Sequence, residues 1–159
     1  MRVLSIDPGY ERVGIAIIEK EKNQKEKLIY SDCFKTSVKE PFYQRMLQIG
    51  DEIEKIIDQY SPNKIAIETL FFNTNQKTAM KVSETRGTII YQALKKDLDV
   101  FEFTPLQIKT AITGYGRGDK NQVTAMVKNL IKIEKDIKYD DEFDAIAVGL
   151  TYFAYSSFK

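Results

Sequence analysis

The chain has 159 residues, 43% hydrophobic and 30% charged, with 24 basic and 23 acidic side chains that leave a net charge of +1. That composition suits one globular domain over residues 1–159, and the balanced charge leaves nucleic-acid binding to depend on where the basic groups cluster. Histidine is absent and Cys33 is the single cysteine. Intramolecular disulfides, zinc clusters, Ser–His and Cys–His nucleophile pairs and histidine general bases are therefore excluded.

No apolar run is long enough to span a bilayer, and the first residues lack the pattern of a cleaved signal, so a cytoplasmic protein without membrane contact is expected. Residues 2–7 read as a strand. Arg12 to Glu19 reads as a second, with Val13, Ile15 and Ile17 alternating against Gly14, Ala16 and Ile18. The polar run KEKNQKEK turns the chain into a third strand, LIYSDCF at 28–34, which gives an antiparallel meander. After Pro41 the stripe Phe42, Met46, Ile49, Ile53, Ile56 and Tyr60 predicts a helix that stops at Ser61-Pro62-Asn63.

KIAIE at 64–68 is a short apolar strand, followed by a helix from about Gln76 to Lys96 and a fifth strand, DVFEF, at 99–103. Thr104-Pro105 supplies a cap and a first-position proline for a short helix. The glycine-containing loop TGYGRGDK at 113–120 leads to an amphipathic helix marked by Val123, Met126, Val127, Leu130 and Ile131. The last helix starts near Asp141, with Phe143, Ile146, Ala147 and Leu150 facing the core. No repeat, low-complexity segment or linker interrupts the pattern.

Two apolar strands end on carboxylates, Asp7 and Glu68. Were these strands parallel neighbours, both groups would reach the same sheet edge, where open α/β sheets place their sites. Pro8-Gly9 makes a tight turn that fixes the direction of Asp7. Asp141 and Asp144, three apart, share one face of the last helix, although alone they are equally read as complements to its dipole. Four carboxylates gathered together repel one another by several kcal/mol without a cation. All-oxygen ligation selects Mg²⁺ or Mn²⁺, and two such ions clamp the attacking and leaving oxygens of a phosphodiester.

DPG followed by Gly14, IAIETLFF (65–72), Arg86-Gly87, FTPLQIKTAITGYGRGDKNQV (103–123) and DEFDAIA (141–147) together resemble the RuvC Holliday-junction resolvases of the ribonuclease H-like superfamily. The resemblance implies an α/β, ribonuclease H-like fold with a five-stranded mixed sheet flanked by helices. It also implies a Mg²⁺-dependent endonuclease, with Mn²⁺ as substitute and two ions per site, that resolves four-way DNA junctions by paired nicks in recombination and repair. The enzyme so implied is a homodimer, with the RuvA–RuvB branch-migration complex as a further partner. Asp7, Glu68, Asp141 and Asp144 match the family's metal-binding carboxylates, and Lys109 and Lys120 its basic positions near the cut strand. Phe71 matches a ring that stacks on junction bases, and Asn75 and Arg117 join Lys109 and Lys120 as expected DNA contacts.

The chain departs from the family pattern at Tyr10-Glu11 before Arg12, at Thr74, at Ser83-Glu84-Thr85 and at Gly118. Three other readings compete with this one. An ATP-handling lobe of the actin and sugar-kinase type needs a second lobe and phosphate loop. Another ribonuclease H-like nuclease would act on RNA–DNA hybrids or replication forks. A junction-binding protein that does not cut would have little use for an intact carboxylate set.

Overall fold

A computed structural model of the chain describes residues 1–70 and 76–156. Strands β1 (Arg2–Asp7), β2 (Arg12–Glu19) and β3 (Lys27–Lys35) form the antiparallel meander expected from their alternation. Helix α1 (Phe42–Tyr60) returns the chain to β4 (Lys64–Glu68), which lies parallel to β1. Helix α2 (Gln76–Lys95) leads to β5 (Asp99–Phe103), parallel to β4. Helices α3 (Pro105–Thr113), α4 (Lys120–Leu130) and α5 (Asp140–Ser156) follow. The five strands make one mixed sheet in the order β3-β2-β1-β4-β5, so β1 is central.

The period-two alternation sorts side chains to two unlike faces. On one, Leu4, Ile6, Val13, Ile15, Ile17, Ile65 and Ile67 pack against Ile49, Ile53, Ile56 and Ile57 of α1 and Ile89 and Ala93 of α2. On the other the strands carry mostly small residues: Ser5 on β1, Gly14 and Ala16 on β2, and Ala66 on β4. Helix α5 packs here, with α3 and α4 beside it. A Cβ added to Gly149 of α5 would lie 2.7 Å from both Ile18 Cδ1 and Ser5 Oγ, so the helix is seated directly on the sheet. From Phe143 to Phe153 it is buried almost all round, Asp144 excepted.

Two capping boxes fix the starts of α3 and α4. Thr104 and Gln107 exchange side-chain and backbone hydrogen bonds, as do Asp119 and Gln122. Some details differ from the sequence expectation. β3 is one residue longer at each end than 28–34. Ile131 is buried but extended, closing α4 and not belonging to it. On α1, Phe42, Met46 and Tyr60 are only half-buried, while Ile57 and Arg45 are buried. Arg45 is accommodated because its guanidinium donates to Thr36 Oγ1 at 2.8 Å and to the Tyr10 carbonyl at 3.0 Å, beneath the Tyr10 ring.

Candidate active site

The β1–β4 register aligns Ile6 with Ile67, which sets Asp7 and Glu68 side by side where the two parallel strands end. Both point to the α5 face, because Asp7 follows Ser5 and Glu68 follows Ala66 by two. The two carboxyl groups share a hydrogen bond. Burial, then the charges of Glu68, Asp144 and Asp141, hold Asp7 well above the usual carboxylate range. Burial and the charge of Asp144 push Glu68 up to about 7, against the pull of Asp7, Lys109 and Lys120. Burial also raises Asp144, opposed by Lys120. Each shift says that negative charge is expensive here without a cation.

Two contacts seat the first turn of α5, which delivers Asp141 and Asp144. Gly14 lets the helix come close: a Cβ there would stand 1.8 Å from the carbonyl oxygen of Asp141. The second contact is ionic. Glu142, buried at 4% exposure, accepts a 2.6 Å hydrogen bond from Ser31 Oγ on β3 and pairs with Lys135. Lys135 Nζ also donates to the Ser31 carbonyl at 2.5 Å. The residues before α5 are thereby tied to the edge strand. A third anchor is Arg86 of α2, whose Nε donates to the Glu68 carbonyl at 3.1 Å while its guanidinium pairs with Glu102.

Cations line the approach. Lys120, the first residue of α4, lies 3.1 Å from Asp144 Oδ2 and 3.5 Å from Asp140 Oδ2. Lys109 of α3 joins Glu68, Pro105, Ile108, Lys120, Val123, Asp144 and Ala147 around a cleft of about 240 Å³. Arg12 Nε stands 3.2 Å from Asp141 Oδ2, yet it is not aligned to donate, and Oδ2 is buried without a hydrogen-bond partner.

All four sequence-predicted carboxylates, with Lys109 and Lys120, thus come together. Arg117 is exposed on the loop between α3 and α4 and makes no ion pair among the described residues. Phe71 and Asn75 lie outside the described residues. Sequence reasoning left Arg12, Arg86 and the Ser31–Glu142–Lys135 cluster unassigned. A carboxylate at Glu142, within the buried run of α5, was the available signal.

The donor set fits a hard divalent cation. It is all oxygen, it is strained by its own charge, and Asp141 offers a buried oxygen lacking a hydrogen bond. Among the described residues no three acidic, cysteine or histidine side chains are already drawn into a finished ligand cage. Arg12 and Lys120 instead stand beside Asp141 and Asp144 as countercharges.

Comparison with known proteins places residues 3–152 on the family model described as crossover junction endodeoxyribonuclease RuvC. Curated relatives of that description include one from Finegoldia magna, 46% identical over 159 residues, covering 100% of this chain and 96% of the relative. Another, from Caldicellulosiruptor saccharolyticus, is 43% identical over 157 residues, covering 99% and 95%. Among solved structures, T. thermophilus RuvC in complex with a Holliday junction substrate superposes with a TM-score of 0.92 at 27% identity, covering 99% of this chain and 96% of that one. The yeast mitochondrial Holliday junction resolvase Ydc2 shares the fold at a TM-score of 0.75 and 12% identity, covering 98% of this chain and 79% of that one.

Proposed function

Because this chain belongs to the RuvC family of crossover junction endodeoxyribonucleases, we propose that it resolves four-way DNA junctions by paired nicks, with Asp7, Glu68, Asp141 and Asp144 as ligands for Mg²⁺ or Mn²⁺, two ions per site. The observation that carries this reading is the Asp7–Glu68 pair. Two carboxyl groups held together by parallel strands, both raised by burial first, Asp7 then by the charge of Glu68 and Glu68 by that of Asp144, form a site whose electrostatic cost a divalent cation removes. On such ligands the metal supplies Lewis-acid polarisation of the phosphate and a lowered pKa for the attacking water.

The chain's own groups do the rest. Asp7 and Glu68, whose charged forms burial disfavours, would be held as carboxylates by such a cation. Lys109 and Lys120 line the same cleft and offer fixed positive charge to the phosphate as its negative charge builds. For Lys120 this means exchanging Asp144 and Asp140 for the substrate. Lys109, which lines the cleft with Glu68, reaches the same phosphate from α3.

Two symmetric nicks require two sites related by a two-fold axis, hence a homodimer. The outer face of α2 supports this: Met80, Tyr91 and Leu94 are exposed, and they fall on one stripe with Gly87 between them. A Cβ on Gly87 would meet nothing within 4 Å among the described residues, so none of them requires a glycine there. Arg86 on the same helix holds the Glu68 carbonyl, so the dimer helix would also brace the site.

The test is cleavage of a labelled synthetic junction beside a duplex of matching sequence. Symmetric nicks in the junction alone, with Mg²⁺ or Mn²⁺ and not with chelator, are expected. Cutting in chelator overturns the metal assignment, and equal cutting of the duplex overturns the junction selectivity. A fully active species of monomer mass by light scattering overturns the dimer.

A further inference from the structure

On the β3 side of the sheet, next to Asp141, two cations of like charge stand side by side. Arg12 and Lys35 are directly opposite in the β2–β3 register. Cross-strand partners share a face, so both rise on the α5 face with Gly14. Like charges in this relation destabilise an antiparallel pair. Both side chains are exposed, and Lys35 has no salt bridge among the described residues.

Between them stands Tyr139, just ahead of α5. Lys35 Nζ lies 4.2 Å from the ring centroid and donates to the hydroxyl at 2.9 Å. Arg12 Cζ lies 5.7 Å from the same centroid. The ring holds both cationic heads at the surface without neutralising either. The acidic partner of Arg12 is Asp141, at 3.2 Å but without an aligned hydrogen bond. An arginine fork is matched to a phosphodiester, which accepts two parallel bonds; its present contact with Asp141 uses charge alone.

We propose that Arg12 and Lys35 form a binding site for a backbone phosphate of the DNA substrate, and that Arg12 is exchanged between two anions: Asp141 when no metal is bound, the phosphate when Asp141 is a ligand. This rests on the assignment of Asp141 to the metal site. A cation on Asp141 repels Arg12 and takes away its partner, so the guanidinium is released toward DNA as the site becomes competent. Lys35, whose partners among the described residues are the uncharged hydroxyl and ring of Tyr139, is available to the phosphate throughout. Metal loading and substrate binding are thereby coupled through one side chain.

The experiment uses the full chain with Arg12→Gln and Lys35→Gln, their thermal midpoints checked first. Mn²⁺ affinity without DNA is read from the free-ion signal in electron paramagnetic resonance. Arg12→Gln, lacking the competitor for Asp141, is expected to bind Mn²⁺ several-fold tighter, and Lys35→Gln to match the parent chain. Junction affinity is then measured over a salt series, in chelator and in Ca²⁺ at a concentration that leaves the junction uncut. For Arg12→Gln the slope of log affinity against log salt should fall by about 0.9 in Ca²⁺ and stay unchanged in chelator. For Lys35→Gln it should fall in both.

Unchanged Mn²⁺ affinity in Arg12→Gln, or a slope lowered equally in chelator and Ca²⁺, overturns the exchange. Unchanged slopes in both variants overturn the phosphate site. If the unsubstituted protein itself neither binds Mn²⁺ nor cuts the junction, it is the metal-site reading that fails, and the two failures are told apart by that control.

Discussion

The two faces of one sheet solve different problems. The face under α1 and α2 is filled with isoleucine and leucine, large side chains interlocking at ordinary packing distance. The face under α5 has serine, glycine and alanine at its centre, flanked by Val3, Ile18 and Phe103, and its helix rests almost on the strands. Bulk on the first face supplies stability. Smallness on the second lets a helix carry Asp141 and Asp144 to Asp7 and Glu68. Both sides of the five strands carry core, but the chemistry sits on the α5 side alone, and substitutions should separate the two roles.

The widest separation is expected between Asp7→Asn and Ile53→Ala. Asp7→Asn should abolish measurable cleavage while junction binding survives, since affinity comes mainly from phosphate contacts. Its thermal midpoint should hold or rise, because burial and neighbouring charge already oppose the lost carboxylate. Ile53, fully buried on the sheet-facing side of α1, should show the reverse: a cost of about 2–5 kcal/mol with near-normal cleavage per folded molecule. Near-normal cutting by Asp7→Asn would remove it from the metal site.

Next come two glycines. Gly14→Ala places a methyl group 1.8 Å from a backbone oxygen of α5, so the helix must lift, and both cleavage and the thermal midpoint should fall. Overpacking of this kind costs about 1–3 kcal/mol. Gly50→Ala, on α1, meets only the side chains of Thr88 and Gln92 at 3.2 and 3.3 Å. Those are able to yield, and the variant should stay close to wild type in both measurements. Equal losses would mean that the α5 face is no tighter than the other.

The shallowest effect is a pH slope. Glu68 titrates near 7 in the fold against 4.5 as the ordinary value, so the folded state binds more protons across that interval. Metal-free stability contributed by this group is present at low pH and lost as pH rises through 7, by at most about 1.4 kcal/mol per pH unit. Glu68→Gln should flatten that portion of the profile in thermal melts with chelator. An unchanged slope would show that the group does not carry the strain assigned to it.

Much of this was legible in the chain. Alternation in VGIAII, the isoleucine stripe of α1 and the Thr104-Pro105 cap are local signals, and the structure follows them closely. The parallel pairing that joins Asp7 to Glu68 was a conditional expectation, met by the β1–β4 register. What stayed hidden depends on tertiary packing. Nothing near Arg12 in sequence announces that Asp141 will be its partner, and nothing near Ser31 announces Glu142. Both pairs exist only because α5 lies across β2 and β3. The positions of Phe42 and Met46 show the same limit: helical spacing gives a stripe, and the neighbouring elements decide how much of it is covered.

The bond from Ser31 to Glu142 joins residues 111 apart, and it carries a kinetic consequence. The β1–β3 meander is assembled from near neighbours, whereas the docking of α5 needs a closure across most of the chain, the kind of contact that slows folding. Until that closure is made, Asp7 and Glu68 stand without Asp141 and Asp144, and the lock on the first turn of α5 has no β3 partner. The capacity to cut DNA therefore arrives in the same event that completes the core beneath α5, and a partly folded chain holds only half of its blade.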